Sequence, residues 1–184
     1  MALKATIFKA DLQIADMDRR YYGDHTLTIA RHPSETDERM MVRLLAFALH
    51  AHEALSFGRG LSSGDEPDLW QTDLTGNIEI WIDVGLPDEK RIRRACGRAR
   101  QVFVYSYGGR GAGLWWDQVN AKLGQVENLS VISLSAASTQ ALAKLILRNM
   151  QLQFTIQEGQ IWISDKNQVV ELVPTTLKTP APQR

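Results

Sequence analysis

The stretch EPDLWQTDLTGNIEIWIDVGLPDEKRIRRA, residues 66–95, carries more of the fold than any other part of the chain. Residues 67–72 and 77–84 are β-like runs on either side of a turn signal at Leu74, Thr75 and Gly76, so the stretch reads as a hairpin. Along the second arm Ile78, Ile80 and Ile82 alternate with Glu79, Trp81 and Asp83. Period two therefore puts an apolar row on one face and an acid-bearing row on the other. A four-residue turn at 74–77 sets Thr72 opposite Glu79, Trp70 opposite Trp81 and Asp68 opposite Asp83. Like charges that face each other across a hairpin repel. A hard cation such as Mg²⁺, held by one or two carboxylates together with a substrate phosphate, resolves that repulsion. The competing account makes Asp68 an edge or turn acid and pairs Asp83 with a basic side chain.

Pro87 suits the first position of a helix, with Asp88 and Glu89 near its positive end and Ile92, Ala95, Cys96 and Ala99 as its apolar stripe. Cys96 is thereby a small core residue rather than a nucleophile. The same segment carries Lys90, Arg91, Arg93, Arg94, Arg98 and Arg100, six basic residues in eleven. Such a cluster contacts phosphates, or it is a solvated helix face answered by Asp88 and Glu89. Upstream, His50, His52 and Glu53 invite a zinc reading, but the H-E-x-x-H spacing would need a histidine at position 56, which is Ser56. Glu53 remains as a carboxylate near a helix end. The loop of residues 108–113 is glycine-rich and stands between strand and helix, yet it lacks the Lys-Ser/Thr ending of a phosphate-binding loop.

Working outward, residues 5–15 and 25–30 form an N-terminal hairpin. Ser34 followed by Asp37 has capping-box spacing, and Met40, Met41, Leu44, Leu45, Ala48, Ala51 and Leu55 recur at helical intervals until about Phe57 and Gly58. Residues 102–105, 114–123, 129–134 and 140–148 then read strand, helix, strand, helix, a right-handed parallel unit. Residues 154–157 and 160–164 make a C-terminal hairpin, with 169–173 as its possible continuation.

The whole is 184 residues long, with 21 basic and 21 acidic side chains and 44% hydrophobic residues. That composition predicts one α/β domain over residues 1–174 and a loose proline-containing tail at 175–184. No apolar run approaches a membrane span, and Lys4, Lys9 and Asp11 interrupt any leader-like stretch. One cysteine permits no internal disulfide, so the expected setting is the cytoplasm, and a monomer is expected. Zero net charge excludes wholesale attraction to nucleic acid or membrane and leaves room for a local basic face.

Four segments, KATIFKADLQIADMDRRYY from Lys4, LTIARHPSETDERMMVRLLAFALHA from Leu27, EPDLW from Glu66 and IDVGLPDEKRIRRACGRA from Ile82, resemble the bacterial YaeQ family over nearly the whole chain. The resemblance implies a mixed α/β (α+β) sheet with a restriction-endonuclease-like PD-(D/E)XK core, whose order is helix, three strands, helix, strand. The N-terminal and C-terminal hairpins are extensions of that core. In such nucleases a Pro-Asp opens one hairpin arm, and the other ends in acid, any residue, lysine. Here Pro67 and Asp68 match the first part, and Asp83, Val84 and Gly85 match the second with glycine at the lysine position; Glu79, Ile80 and Trp81 are the other placement, also without lysine. The resemblance nominates Asp68, Asp83 and Lys90 as catalytic. It nominates Asp68 and Asp83, with Glu53, as ligands of Mg²⁺ or Mn²⁺; Glu66 is a further ligand candidate, and the basic cluster offers Arg91, Arg94 and Arg98 as contacts to nucleic acid. The activity implied is a metal-dependent phosphodiesterase acting on nucleic acid. The alternative is a noncatalytic nuclease-fold module that binds nucleic acid or a protein partner.

Overall fold

A computed structural model describes residues 4–182. Met1–Leu3, and Gln183 and Arg184 of the expected tail, lie outside the described residues. In chain order the elements are β1 (Thr6–Asp16), β2 (Tyr21–Arg31), α1 (Asp37–Leu49), β3 (Leu55–Phe57), a 3-10 turn (Gly60–Ser62), β4 (Leu69–Thr72), β5 (Ile78–Val84), α2 (Glu89–Arg98), β6 (Ala99–Ser106), α3 (Arg110–Leu123), β7 (Leu129–Ser133), α4 (Ala136–Ala143), β8 (Asn149–Gln157), β9 (Gln160–Ser164), β10 (Val169–Leu172) and β11 (Thr175–Lys178). This is a mixed α/β architecture. The backbone forms two compact units, Met1–Ala51 with Ala137–Pro174 and His52–Ala136 with Thr175–Arg184. Each has its own mixed sheet. Among the described residues no helix is long and apolar enough to cross a membrane.

The first unit holds a five-stranded sheet in the order β10-β9-β8-β1-β2. Period two divides its strands into a buried row, with Phe8, Ala10, Leu12 and Ile14 of β1 beside Met150, Leu152, Phe154 and Ile156 of β8, and a polar row on the other face. Each large apolar side chain fully buried in that row contributes about 1.5–3 kcal/mol. β1 pairs antiparallel with β2 along all eleven residues and parallel with β8, where the Lys9 N–H donates to the Arg148 carbonyl at 2.8 Å. The expected C-terminal hairpin is present, and its first strand begins at Asn149, five residues early. The fourth helix occupies 136–143 rather than 140–148; the chain leaves it in turns, and Arg148 already gives its carbonyl to Lys9 of β1.

Helix α1 starts later and ends earlier than its apolar spacing suggested. Thr36, not Ser34, is its N-cap, with Oγ1 accepting the Arg39 N–H at 3.1 Å. Its C-terminal carbonyls are answered by Arg19, whose guanidinium donates to Leu49 O at 2.5 Å and Ala51 O at 2.6 Å. At its N-terminal end Glu35 is buried and bound by Arg43 at 2.7 Å through both carboxylate oxygens, with Arg39 at 3.1 Å. Arg43 also donates to the Ala30 carbonyl at 3.0 Å.

Burial first, and the nearby Arg19 charge second, push the His50 imidazole at the end of α1 from 6.5 down to about 3. Between these values the unfolded chain takes up a proton that the folded chain refuses. The contribution of neutral His50 is therefore complete above pH 6.5 and is lost as pH falls toward 3. His50→Asn is expected to flatten the fall of the urea midpoint between neutral pH and about pH 5. An unchanged fall in the variant would remove His50 from the acid limb.

The second unit holds a six-stranded sheet in the order β11-β7-β6-β5-β4-β3, with β5, β6 and β7 parallel and joined through α2 and α3. The tail expected to begin at 175 starts instead as a strand, since β11 pairs antiparallel with β7. β3, only three residues long and paired with β4, lies where the apolar spacing had carried the first helix on to about Phe57.

Candidate functional site

The hairpin of β4 and β5 has the register that period two gave it over most of its length, with Trp70 opposite Trp81 and Leu69 opposite Ile82. Beyond this ladder the Asp68 N–H bonds Ile82 O at 3.0 Å, and the carboxylates of Asp68 and Asp83 both act on the Arg91 charge. The ladder slips by one at the turn, so Thr72 faces Ile78 rather than Glu79. Asp73 causes the slip: its backbone N–H bonds Asn77 O, and its Oδ1 accepts the N–H groups of Thr75 and Asn77, closing a turn one residue shorter. The Thr75 hydroxyl first, and the Asn77 amide next, pull the Asp73 carboxyl down to about 2.

The acid-bearing face is not open. Trp81 packs in a core with Ile92 and Ala95 of α2 and Trp115 and Val119 of α3, and Asp68 and Asp83 are each 2% exposed. A strand inside a parallel layer is covered on both faces, so alternation of acid and apolar residues here marks two kinds of burial rather than water and core. Trp115 Nε1 bonds the Pro87 carbonyl at 2.7 Å and ties α3 to the entry of α2.

Arg91 is the centre of the arrangement. Asp88 caps α2 by accepting the Arg91 N–H at 2.8 Å, which places Arg91 in the first turn, just after the end of β5. Its Nε and Nη2 donate to the two oxygens of Asp83, each at 2.8 Å, the parallel fork that guanidinium and carboxylate make best. Nη2 also reaches Glu66 O at 2.9 Å, and Nη1 reaches Gly64 O at 3.0 Å. Arg98 donates to Asp65 O at 2.8 Å, with its guanidinium 5.1 Å from the centre of the Trp81 ring. Residues 64–66 are thus strapped to α2 across the acidic pair. The Asp83 hydrogen bonds, with Asp68 and Asp88 adding charge, raise the Arg91 guanidinium above its ordinary value against the pull of burial.

Asp68 is held from two sides. Its Oδ2 accepts the Val84 N–H at 2.8 Å, and its Oδ1 lies where a Cβ on Gly60 would come within 2.6 Å. Gly60 has φ +50°, so both space and backbone demand glycine there. Gly85, at the position of the expected lysine, has φ +107°. A side chain at 85 would be strained, and the missing lysine is a consequence of how the chain turns out of β5.

The other nominated residues are distributed as follows. Glu66 turns its carboxylate to Arg59, accepting that residue's N–H at 2.9 Å, and gives only its carbonyl to the strap. Glu53 stands exposed before β3, and Lys90 stands exposed on α2, away from the buried Ile92 and Ala95, as helical phase required. Arg94 lies 3.6 Å from Asp65 across a solvent-exposed gap. The remaining basic residues also have acids beside them, Arg93 with Glu89 at 2.7 Å and Arg100 with Glu79 at 3.3 Å. Burial pushes the Cys96 thiol up to about 11, an unreactive state.

A divalent cation fits this donor set poorly as it stands. Both oxygens of Asp83 are occupied by a guanidinium, one oxygen of Asp68 is occupied by a backbone amide, and among the described residues no group of three or more His, Cys, Asp or Glu is arranged to hold a metal ion. The role of Arg91 was the part sequence reading assigned elsewhere, to nucleic acid. The signal for it was the pairing of Asp83 with a basic side chain, and a cationic residue in the first turn after the strand is the one within reach.

Among known proteins, a family model described as YaeQ protein matches residues 1–174. An uncharacterized protein YaeQ of Salmonella typhi is 48% identical over 181 residues, spanning 98% of this chain and all of that one. Its counterpart in Escherichia coli (strain K12) is 46% identical over the same length and coverage. The crystal structure of a YaeQ protein from Xanthomonas axonopodis pv. citri superposes with a TM-score of 0.92 at 50% identity, covering 97% of this chain and 99% of that one. That of a YaeQ protein from Pseudomonas syringae gives 0.91 at 35% identity, covering 95% and 97%.

Proposed function

The chain belongs to the YaeQ family, and from that premise we propose that its PD-(D/E)XK-like core is a noncatalytic binding module in which an arginine holds the place of the metal. The order α1, then β3, β4 and β5, then α2 and β6 supports the nuclease-like part of this reading. The observation that carries the rest is the fork of Arg91 on Asp83. A guanidinium neutralises a carboxylate as a cation does, but it supplies no open coordination position and does not acidify a bound water. With Arg91, Arg93, Arg94 and Arg100 each beside an acid, the basic cluster offers a phosphate backbone little unbalanced charge, which favours a protein partner over nucleic acid.

Titration calorimetry with Mg²⁺ and Mn²⁺ at millimolar concentration is expected to show no binding by the parent chain. Incubation with mixed DNA and RNA and either metal is expected to leave the substrates intact. The burial of Asp68 and Asp83, both acting on the Arg91 charge, favours a second reading, the metal-dependent phosphodiesterase, which requires Arg91 to leave Asp83. Metal-dependent cleavage that disappears in both Asp68→Asn and Asp83→Asn would replace the first reading with the second.

A further inference from the structure

The two sheets have four edges, and three of them are short: β10 and β11 have four residues each and β3 has three. Short edges are one way a chain avoids pairing with others. The fourth edge, β2, has eleven residues. It contains no proline and no lysine, and its register with β1 runs without a bulge from end to end. Between Tyr21 and Ala30 its one formal charge is Asp24, so the edge lacks the length limit, lysine, proline and bulge that usually protect one.

The direction of its backbone groups follows from the hydrogen bonds. Lys9 N–H bonds Arg148 O, so the odd-numbered residues of β1 turn their backbone toward β8 and the even-numbered ones toward β2. Ala10, Leu12 and Ile14 face Leu27, His25 and Gly23. The odd residues of β2 therefore bond β1, and Tyr22, Asp24, Thr26, Thr28 and Ala30 point their N–H and C=O groups away from it. The Ala30 carbonyl confirms the direction, because the Arg43 side chain takes it. Among the described residues no backbone hydrogen bond to Tyr22, Asp24, Thr26 or Thr28 comes from outside the pairing with β1. On the inward row Tyr21, Gly23, His25 and Leu27 are only half-buried, and the row is not sealed until Ile29.

We propose that β2 pairs antiparallel with β2 of a second copy of this chain, joining two five-stranded sheets into one across a two-fold axis at His25. Self-complementarity selects the partner. With Ala30 O occupied, the usable ladder is residues 22–28, whose midpoint is His25. In that register Tyr22 faces Thr28 of the second copy and Asp24 faces Thr26, so each backbone group of the four residues meets its complement and no like charges oppose one another. On the inward row Leu27 faces Gly23 of the second copy, covering the part of the row that one copy leaves half-exposed. A peptide partner would have to supply the same pattern without the symmetry that guarantees it.

Sedimentation of the full chain over a concentration series tests the proposal, with hydrogen exchange of the β2 amides measured on the same samples. The expected result is a species of twice 20.7 kDa. The amides of Tyr22, Asp24, Thr26 and Thr28 should exchange more slowly as it forms, while those of Gly23, His25 and Leu27, already bonded to β1, hold steady. Thr26→Pro removes an edge N–H that no strand of the same copy uses, and it should raise the dissociation constant at least about tenfold. Thr28→Lys, which keeps the backbone intact, should do the same, and Gln153→Lys, on the sheet but off the edge, should not. A chain that stays monomeric, a dimer indifferent to both edge variants, a dimer without protection of those four amides, or an edge that binds only extended peptides overturns the proposal.

Discussion

Arg91→Ala is expected to lower folding stability by about 3 kcal/mol, read as a shift in the urea midpoint at constant slope. The Asp83 side chain is 3% exposed, so removing its guanidinium leaves a buried carboxylate with no countercharge. Arg91 itself is a quarter exposed, and water entering the vacated space answers part of that charge, which holds the figure to the lower end of the range for broken buried pairs. The variant also releases residues 64–66 from two of their bonds to α2. Asp83→Asn keeps an acceptor for one arm of the fork and should cost less, about 1–2 kcal/mol. Arg91→Met combined with Asp83→Asn should lie closer to the parent than the two single losses add up to, since neither charge is then stranded. A loss below about 1 kcal/mol for Arg91→Ala would show that water already reaches Asp83.

Glu35→Ala is expected to cost a similar or larger amount, about 3–4 kcal/mol. Its carboxylate is 2% exposed and answers two guanidiniums, that of Arg43 in a fork and that of Arg39 at one oxygen. The Arg43 side chain is 7% exposed, so in the variant it keeps the Ala30 carbonyl and loses the carboxylate that neutralised it. Glu35→Gln preserves shape and one acceptor and should fall between alanine and the parent. Thermal and urea unfolding of the three proteins ranks them. Equality of Glu35→Gln with the parent would mean that the charge contributes nothing beyond its hydrogen bonds.

These two clusters also show where sequence reading stopped. Alternation and a turn gave the hairpin and its register away from the turn, because both are local consequences of period two. The same alternation did not say that the acidic row lies under α2 and α3. That depends on β5 being inside a parallel layer, and β6 and β7, which make it so, lie beyond the hairpin in sequence. The apolar stripe of Ile92 and Ala95 leaves Lys90 on the outside of α2. Arg91, one position on, was read as outward-facing charge because its partner sits at the end of a strand rather than on the helix, and no helical spacing connects the two. β3 was hidden for a different reason: Leu55 continues the apolar spacing of α1, so its three residues read as the end of that helix. The start of β8 was hidden because its partner is β1, at the opposite end of the chain, and the residues that pair there have the composition of an extended helix.

The interleaving of the two units has a temporal side. The ribosome releases β1 and β2 early, but the strand that flanks β1 on its other side is β8, which follows roughly a hundred residues later, so at about 5–20 residues per second the hairpin waits some seconds for its neighbour. During that interval the second unit, apart from β11, is already synthesised, whereas Phe8, Leu12 and Ile14 have no β8 to lie beside. The nascent chain therefore exposes this apolar row early and covers it late, and holding chaperones that grip exposed apolar strands have a long opportunity on the first thirty residues.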